Sequence, residues 1–352
     1  MSEVSLQPFD RSRSLAKPVI GMVATAALAI GALVTLAFAG RVHLVGLAAI
    51  AGFANLVMTY AVSRIVEGSR RAVDRVVTAI VYSLMIAAIV PLLSVVYTVI
   101  RRGLARFDLE LVTSTMRNVL GEGGGALHAI IGTLIITGLA TVMAVPVGLC
   151  TGIYLVEYGQ NGRFARILLS MVDVMTGIPS IVAGLFAYAL FSLVQGPGAR
   201  SGFAGSVALA LLMTPIVVRA TREMLRLVPN ELREASYALG VAKWRTIVKV
   251  VLPTAVSGLF TGVSLAIARV IGETAPLLIA AGLAQDTNLN PFSGRMTSLP
   301  VMAYYGYAAP GFPPEAGYDR GWSVALLLIL LILVIFLVAK LFAKVLEPKG
   351  LR

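Results

Sequence analysis

With 352 residues, 58% of them hydrophobic, only 13% charged, and a mean hydropathy of +0.89, the chain is too apolar to fold as a soluble protein of this length. Its formal net charge of +12 comes from short basic runs between apolar segments, not from a patch interleaved with aromatics, so the composition speaks for a lipid bilayer and against nucleic acid. The single cysteine, Cys150, excludes an intrachain disulfide, and two distant histidines, His43 and His128, leave little for a metal site.

In chain order, a polar tail with Arg11, Arg13 and Lys17 precedes a first expected span from Val19 to Ala39. Ala37-Phe38-Ala39 has the small-x-small pattern of a signal-peptidase site, but the apolar run is longer than a signal core, so a retained span is expected. A second span covers about Leu44 to Ser63 and is followed by Arg64, Arg70, Arg71 and Arg75; a third covers Val76 to Ile100. The polar segment to Leu127 contains Glu122 and glycines 121, 123, 124 and 125. No Lys-Ser or Lys-Thr follows them, so a phosphate loop is rejected and a flexible loop is expected.

The fourth span, Ala129 to Val156, contains Pro146, which predicts packing inside the bundle, where neighbours satisfy the freed carbonyl. The fifth, Arg166 to Leu193, carries Asp173 and the run Gly177-Ile178-Pro179-Ser180-Ile181-Val182-Ala183-Gly184-Leu185-Phe186. The sixth lies near Phe203 to Val218, the seventh from Thr254 to Ala281, and the eighth from Trp322 to Phe342 after a proline-rich polar segment. An N-terminus in the cytoplasm places 20 basic residues on that side against 8 on the other, with Arg269 inside a span, in accord with the positive-inside rule.

Between the sixth and seventh spans, residues 219–253 are too charged for hydrocarbon. Pro229 and Asn230 start a helix, Leu232, Ala235, Ala238 and Leu239 give it an apolar face, Glu231, Arg233 and Glu234 lie on the other, and Gly240 stops it. A second short helix from Ala242 to Val250 carries Lys243, Arg245 and Lys249 beside Trp244. Such a helix, glycine bend and helix form a knob able to seat in a partner's groove, although most basic amphipathic stretches are merely solvated at a membrane surface. Within the spans, Asp173, Arg269 and Glu273 each cost on the order of 3 kcal/mol at the bilayer centre and so need a partner or a water-filled path. Arg269 and Glu273, four apart, are expected to share a helix face and pair, whether as a structural lock or as part of a pathway.

Glu234-Ala235-Ser236, Gly240, and Val250-x-Leu252-Pro253 resemble the EAA loop of ABC importer permeases, with two conservative departures from its Glu-Ala-Ala and Ile-x-Leu-Pro. The run from Ala268 to Leu278, with Arg269, Gly272, Glu273, Thr274, Ala275 and Pro276, is similar to the Arg-x-x-Gly-Glu-Thr-Ala-Pro signature of the PstA-type permeases of phosphate-specific importers. Pro179 to Phe186 is similar to a segment these share with their PstC-type sisters. The resemblance covers about residues 76–345. It implies an all-α polytopic fold: a tail at 1–18, two additional helices at 19–75, a six-helix MetI-like permease core at 76–345 whose coupling loop is 219–253, and a tail at 346–352.

It further implies a subunit of the plasma or inner membrane that is not itself an enzyme and binds no cofactor. ATP and magnesium would sit in a PstB-like ATPase dimer, beside a PstC-like sister permease and a PstS-like extracytoplasmic phosphate-binding protein. Arg269, Glu273, Thr274, Asp173 and Ser180 are the expected pathway residues; Glu234, Ala235, Ser236, Gly240, Leu252 and Pro253 are the expected coupling residues. The rivals are a permease for molybdate or sulfate, an ion-driven secondary transporter working alone, and an intramembrane enzyme. The last lacks a converging nucleophile or ligand set.

Overall fold

Apolar runs of 20 or so residues leave their backbone polar groups nothing to bond in lipid except one another, and helices result. A computed structural model describes residues 17–39, 44–159 and 162–346, and every regular element among them is helical. Among the described residues six helices are long and apolar enough to cross a bilayer, seven if one bent pair counts as a span, and Gly21–Ala37 is a shorter apolar helix. The expected tails fall largely outside the described residues.

The chain divides into two compact units between Tyr97 and Thr98. In the first, α1 (Lys17–Ala39) packs on α2 (Leu44–Val66) through small residues: a Cβ on Gly31 would come within 2.9 Å of the Ala51 Cβ. Gly68, at φ +88°, turns the chain into α3 (Ser69–Gly103), and Glu67 clamps the corner by pairing with Arg75. The break between units thus falls inside α3.

The second unit is built around α5 (Leu127–Ile153) and α8 (Gly202–Arg226). Ile136, Ala140 and Ala144 meet Leu209, Met213 and Val217, with Ala266 and Val270 of α11 (Leu252–Val270) closing the core. Gly148 and Gly152 let α5 lie directly on Val217 and Thr221, as befits helices that gain from close packing and not from hydrophobic exclusion. Pro146 itself is exposed, on the face of α5 away from these contacts. The helix packs as foreseen, but by its small residues.

Three expected spans change shape. The fifth is two helices, α6 (Arg163–Gly177) and α7 (Ser180–Gln195), bent by 103°. Pro179 disfavours helical geometry at Ile178, which is extended at φ −68°, ψ 125°, and Gly177 ends the preceding helix. The sixth, α8, runs on to Arg226, two turns past Val218. The seventh ends at Val270, and a separate α12 (Ala275–Ala280) follows, with Pro276 in its first turn where no backbone donor is needed.

The glycine-rich segment before α5 is tied down, contrary to the flexible loop expected. Asp108 caps α4 (Leu109–Thr113) by accepting from the Leu111 amide at 2.8 Å, and Arg106 donates to the carbonyls of Gly123 (3.0 Å) and Gly124 (3.2 Å). Arg320, on α14 (Pro314–Leu346), donates to Gly121 and Gly123. Residues 282–298 cover the same end of α5. There Met116 donates to the Gln285 carbonyl, and the Leu299 amide at the start of α13 (Leu299–Ala308) donates to the Thr133 hydroxyl, 2.8 Å away.

Candidate functional site: an exposed coupling knob and a broken-helix motif

The knob forms as its sequence dictates. α9 (Asn230–Ala238) ends in a paired closure: Gly240 donates to the Tyr237 carbonyl and Val241 to the Ser236 carbonyl, with Gly240 in the left-handed region at φ +73°. The chain then reverses into α10 (Lys243–Thr246), and the Ser236 and Thr246 hydroxyls join the two helices at 2.8 Å. From Ile247 to Val251 the helix widens into a π-turn before running into α11 at Leu252 and Pro253. Proline cannot donate to the carbonyl four residues back, and the wider turn accommodates its ring. The short helix beyond the bend is therefore continuous with the seventh span.

The knob exposes large apolar side chains among its charged ones. Leu239 is 83% and Trp244 57% exposed, Leu232 and Tyr237 are exposed beside them, and Glu234 and Ala235 lie open to solvent. Ser236 is buried, and Leu252 and Pro253 are half-buried. The six coupling residues thus divide into an exposed group, Glu234, Ala235 and Gly240, and an inner one of Ser236, Leu252 and Pro253.

Arg233 is the residue sequence reasoning misplaced. Instead of facing water with Glu231 and Glu234, it turns inward: its side chain is 11% exposed, and it pairs with Glu157, 4% exposed, at 2.7 Å. The same guanidinium donates to the carbonyls of Leu225 (2.9 Å) and Val228 (2.7 Å), which close the end of α8. Glu157 lies in the π-turn Tyr154–Tyr158 that continues α5. One side chain therefore bolts α9 to the ends of both core helices. Glu157 and Arg233 are 76 residues apart, so no spacing rule links them; the only signal was a carboxylate at the end of an apolar run, in need of a partner.

The second constellation lies where α7 and α12 meet. A Cβ on Gly184 would lie 2.6 Å from the Cα of Pro276, so glycine is needed for the two backbones to touch. This contact unites the Pro179–Phe186 run with the Gly272–Pro276 run. Ser180 is half-buried in the first turn of α7, just after Pro179; Thr274 is half-buried at the start of α12, its carbonyl accepting from Leu278.

Arg269 sits exposed in the last turn of α11, and among the described residues it forms no ion pair. The expected helical pairing with Glu273 is absent because the helix ends between them: Ile271 is the last residue to donate in register, and the Glu273 amide turns back to the Val270 carbonyl. Asp173 pairs with Arg219 of α8 at 2.7 Å, on an exposed face of α6. Arg219, expected in the polar loop, is thereby part of the bundle. Chemically, Arg269 offers a permanently charged guanidinium with five donors where α11 ends, a group suited to an oxyanion.

A bundle of membrane-spanning helices with its fifth span broken and a helical knob at one end has the architecture of a transporter membrane subunit. A chain of the inward-facing MetNI methionine ABC transporter shares this fold, with a TM-score of 0.52 at 20% identity over 63% of this chain and 96% of that one. Residues 144–351, more than half of the sequence, match the binding-protein-dependent transport system inner membrane component, and the chain belongs to that family. Over 264 residues it is 48% identical to the phosphate transport system permease protein PstA 1 of Mycobacterium tuberculosis, covering 74% of this chain and 85% of the relative. PstA of Mycobacterium leprae is 46% identical over 274 residues, 76% of this chain and 88% of that one. PstA of Haemophilus influenzae is 39% identical over 273, 78% and 94% respectively.

Proposed function

We propose that this chain is the PstA-type permease of an ATP-driven importer that moves inorganic phosphate into the cytoplasm. The observation that carries the reading is its 48% identity to a phosphate permease over 264 residues, in a chain that keeps the Arg269 to Leu278 run whole. A PstS-like binding protein delivers phosphate on the outer side, and a PstC-like sister lines the other half of the path. A PstB-like ATPase dimer holds ATP and magnesium on the inner side. Both termini and the knob are cytoplasmic, as the distribution of basic residues favours.

In this account the Arg269 guanidinium meets the tetrahedral anion, Thr274 and Ser180 donate hydrogen bonds to it, and Glu273 limits how tightly the path can hold the charge. Asp173 acts from outside that group by fixing Arg219. Closure of the ATPase pair pushes on Glu234, Ala235 and the exposed apolar face of α9. Arg233 passes that displacement to α5 and α8, and the helices rock between outward- and inward-open states. Cells deprived of their own phosphate importer and supplied with this chain and its native neighbours should regain ATP-dependent phosphate uptake and growth on low phosphate. Restored sulfate or molybdate uptake without phosphate uptake would assign it to another oxyanion.

A further inference from the structure

At the end of α8 away from the knob, two arginines far apart in sequence are brought together. A Cβ on Gly282 would lie 3.1 Å from the Arg200 Cδ and 3.3 Å from the Arg295 Cδ, so the two side-chain stems flank one bare stretch of backbone. We propose that Arg200 and Arg295 form a receiving site for a tetrahedral oxyanion, the first contact that inorganic phosphate makes with this chain on the outer side. The inference rests on the phosphate reading and adds a site to it.

Backbone bonds hold the pair in place. The Ser201 amide donates to the Ala280 carbonyl at 3.1 Å and the Met296 amide to the Ala281 carbonyl at 3.2 Å, so two successive carbonyls anchor the residue that follows each arginine. Asn288 steadies the second strand of this clamp, its Nδ2 donating to the Arg295 carbonyl at 3.1 Å. Gly282 is buried at φ +80°, where glycine is the residue without strain, and its missing side chain leaves the space between the stems open. Arg200 is half-buried with its guanidinium carbon 5.9 Å from the centre of the Tyr188 ring, while Arg295 is exposed.

What the pair lacks is a counter-charge. Among the described residues neither arginine forms an ion pair, and the one acid of the 282–298 segment, Asp286, is taken by Arg117 at 3.1 Å. Like charges fixed side by side repel, and an anion between them removes the repulsion while accepting from both guanidinium forks. A phosphate dianion matches both charges, whereas a single carboxylate from a partner protein matches one. Depth agrees. Gly262 of α11 packs on Ala220 and Gly205 on Ala281, marks that lie 15 residues of α8 apart, about 22 Å at 1.5 Å per residue. Arg269, seven residues past Gly262, covers about 10 Å of that rise, so the arginine pair stands about 12 Å farther from the knob. An anion entering from outside meets the pair before it meets Arg269.

The test has two arms, both on the assembled importer. In the first, the purified complex without its binding protein is treated with phenylglyoxal, and modification of each arginine is read by peptide mass spectrometry. Inorganic phosphate should protect Arg200 and Arg295, chloride at equal ionic strength should not, and Arg101, an exposed arginine of α3, should react alike in both. In the second, Arg200→Gln with Arg295→Gln should lower the maximal rate of phosphate uptake into proteoliposomes roughly tenfold, on the scale of a lost charge-assisted contact, while the half-saturating concentration of binding protein stays unchanged. Arg295→Gln alone, at an exposed position, should show part of that loss and serves if the double variant fails to assemble; Arg101→Gln should show none. Absence of protection, equal protection by chloride, a variant whose sole defect is a higher half-saturating concentration of binding protein, or no defect at all overturns the site. Failure of the unmodified importer to take up phosphate would instead sink the phosphate reading itself.

Discussion

Replacing Arg233 by Met tests the bolt between knob and core. In the native chain the guanidinium satisfies the buried Glu157 carboxylate at 2.7 Å and two helix-end carbonyls at 2.9 and 2.7 Å. Removing it leaves a carboxylate 4% exposed with its charge unmatched, which costs about 3–5 kcal/mol. Glu157→Met leaves the reverse orphan. The double variant Arg233→Met, Glu157→Met removes both charges together and retains only the loss at the Leu225 and Val228 carbonyls, about 1–3 kcal/mol each at most. A double-mutant cycle on detergent-solubilised protein, unfolded by denaturing surfactant and followed by circular dichroism, should therefore return a coupling energy of about 1–3 kcal/mol, with the double variant more stable than the sum of the singles implies. Arg233→Lys keeps a charge but not the fork and should fall between wild type and Arg233→Met. Costs that add to within about 0.5 kcal/mol would show that the two side chains do not act as a unit, and the transmission route through Arg233 would be wrong.

Other consequences are more local. Gly184→Ala places a methyl group 2.6 Å from the Pro276 Cα and should destabilise the protein by about 1–3 kcal/mol through overpacking, lowering its unfolding midpoint; an unchanged midpoint would mean α7 and α12 do not touch. Gly240→Ala forces a side chain into φ +73°, costing about 1–2 kcal/mol, and together with Glu234→Ala should reduce copurification of the ATPase; undiminished copurification and transport would count against the knob as the docking element. The Asp108 carboxyl is held below the usual carboxylate range, first by the Leu111 amide and then by Arg106. Because its folded pKa is depressed, the capping contribution is complete above the ordinary aspartate range and fades as pH falls through the folded value. Protease accessibility of the 104–126 segment should accordingly rise in acid in the wild type, and Asp108→Ala should show the raised accessibility already at neutral pH.

What the sequence disclosed, and what it concealed, divide along physical lines. Apolar runs and their polar interruptions determine where helices lie, and Gly240 announces its own turn because only glycine takes φ +73° without strain. Hydropathy is blind to direction, so the 103° bend at Ile178–Pro179 passed as a straight span even though Gly177 and Pro179 were in plain view. The same blindness let Arg269 and Glu273 be placed on one helix, when Gly272 and Pro276 already favoured a break between α11 and α12. Pairings across the bundle, Asp173 with Arg219 and Glu157 with Arg233, depend on which helices meet, and no local pattern encodes that. Pro146 shows the converse: a rule about freed carbonyls pointed to the right helix, while the glycines of α5 decided which of its sides was buried.

The most direct test of the whole account is uptake of labelled phosphate into proteoliposomes containing this chain with its sister permease, ATPase and binding protein. ATP-dependent phosphate accumulation is expected, outcompeting sulfate and molybdate, and abolished in Arg269→Gln although that variant still assembles. Accumulation driven by an ion gradient without ATP, or undiminished by Arg269→Gln, would contradict it.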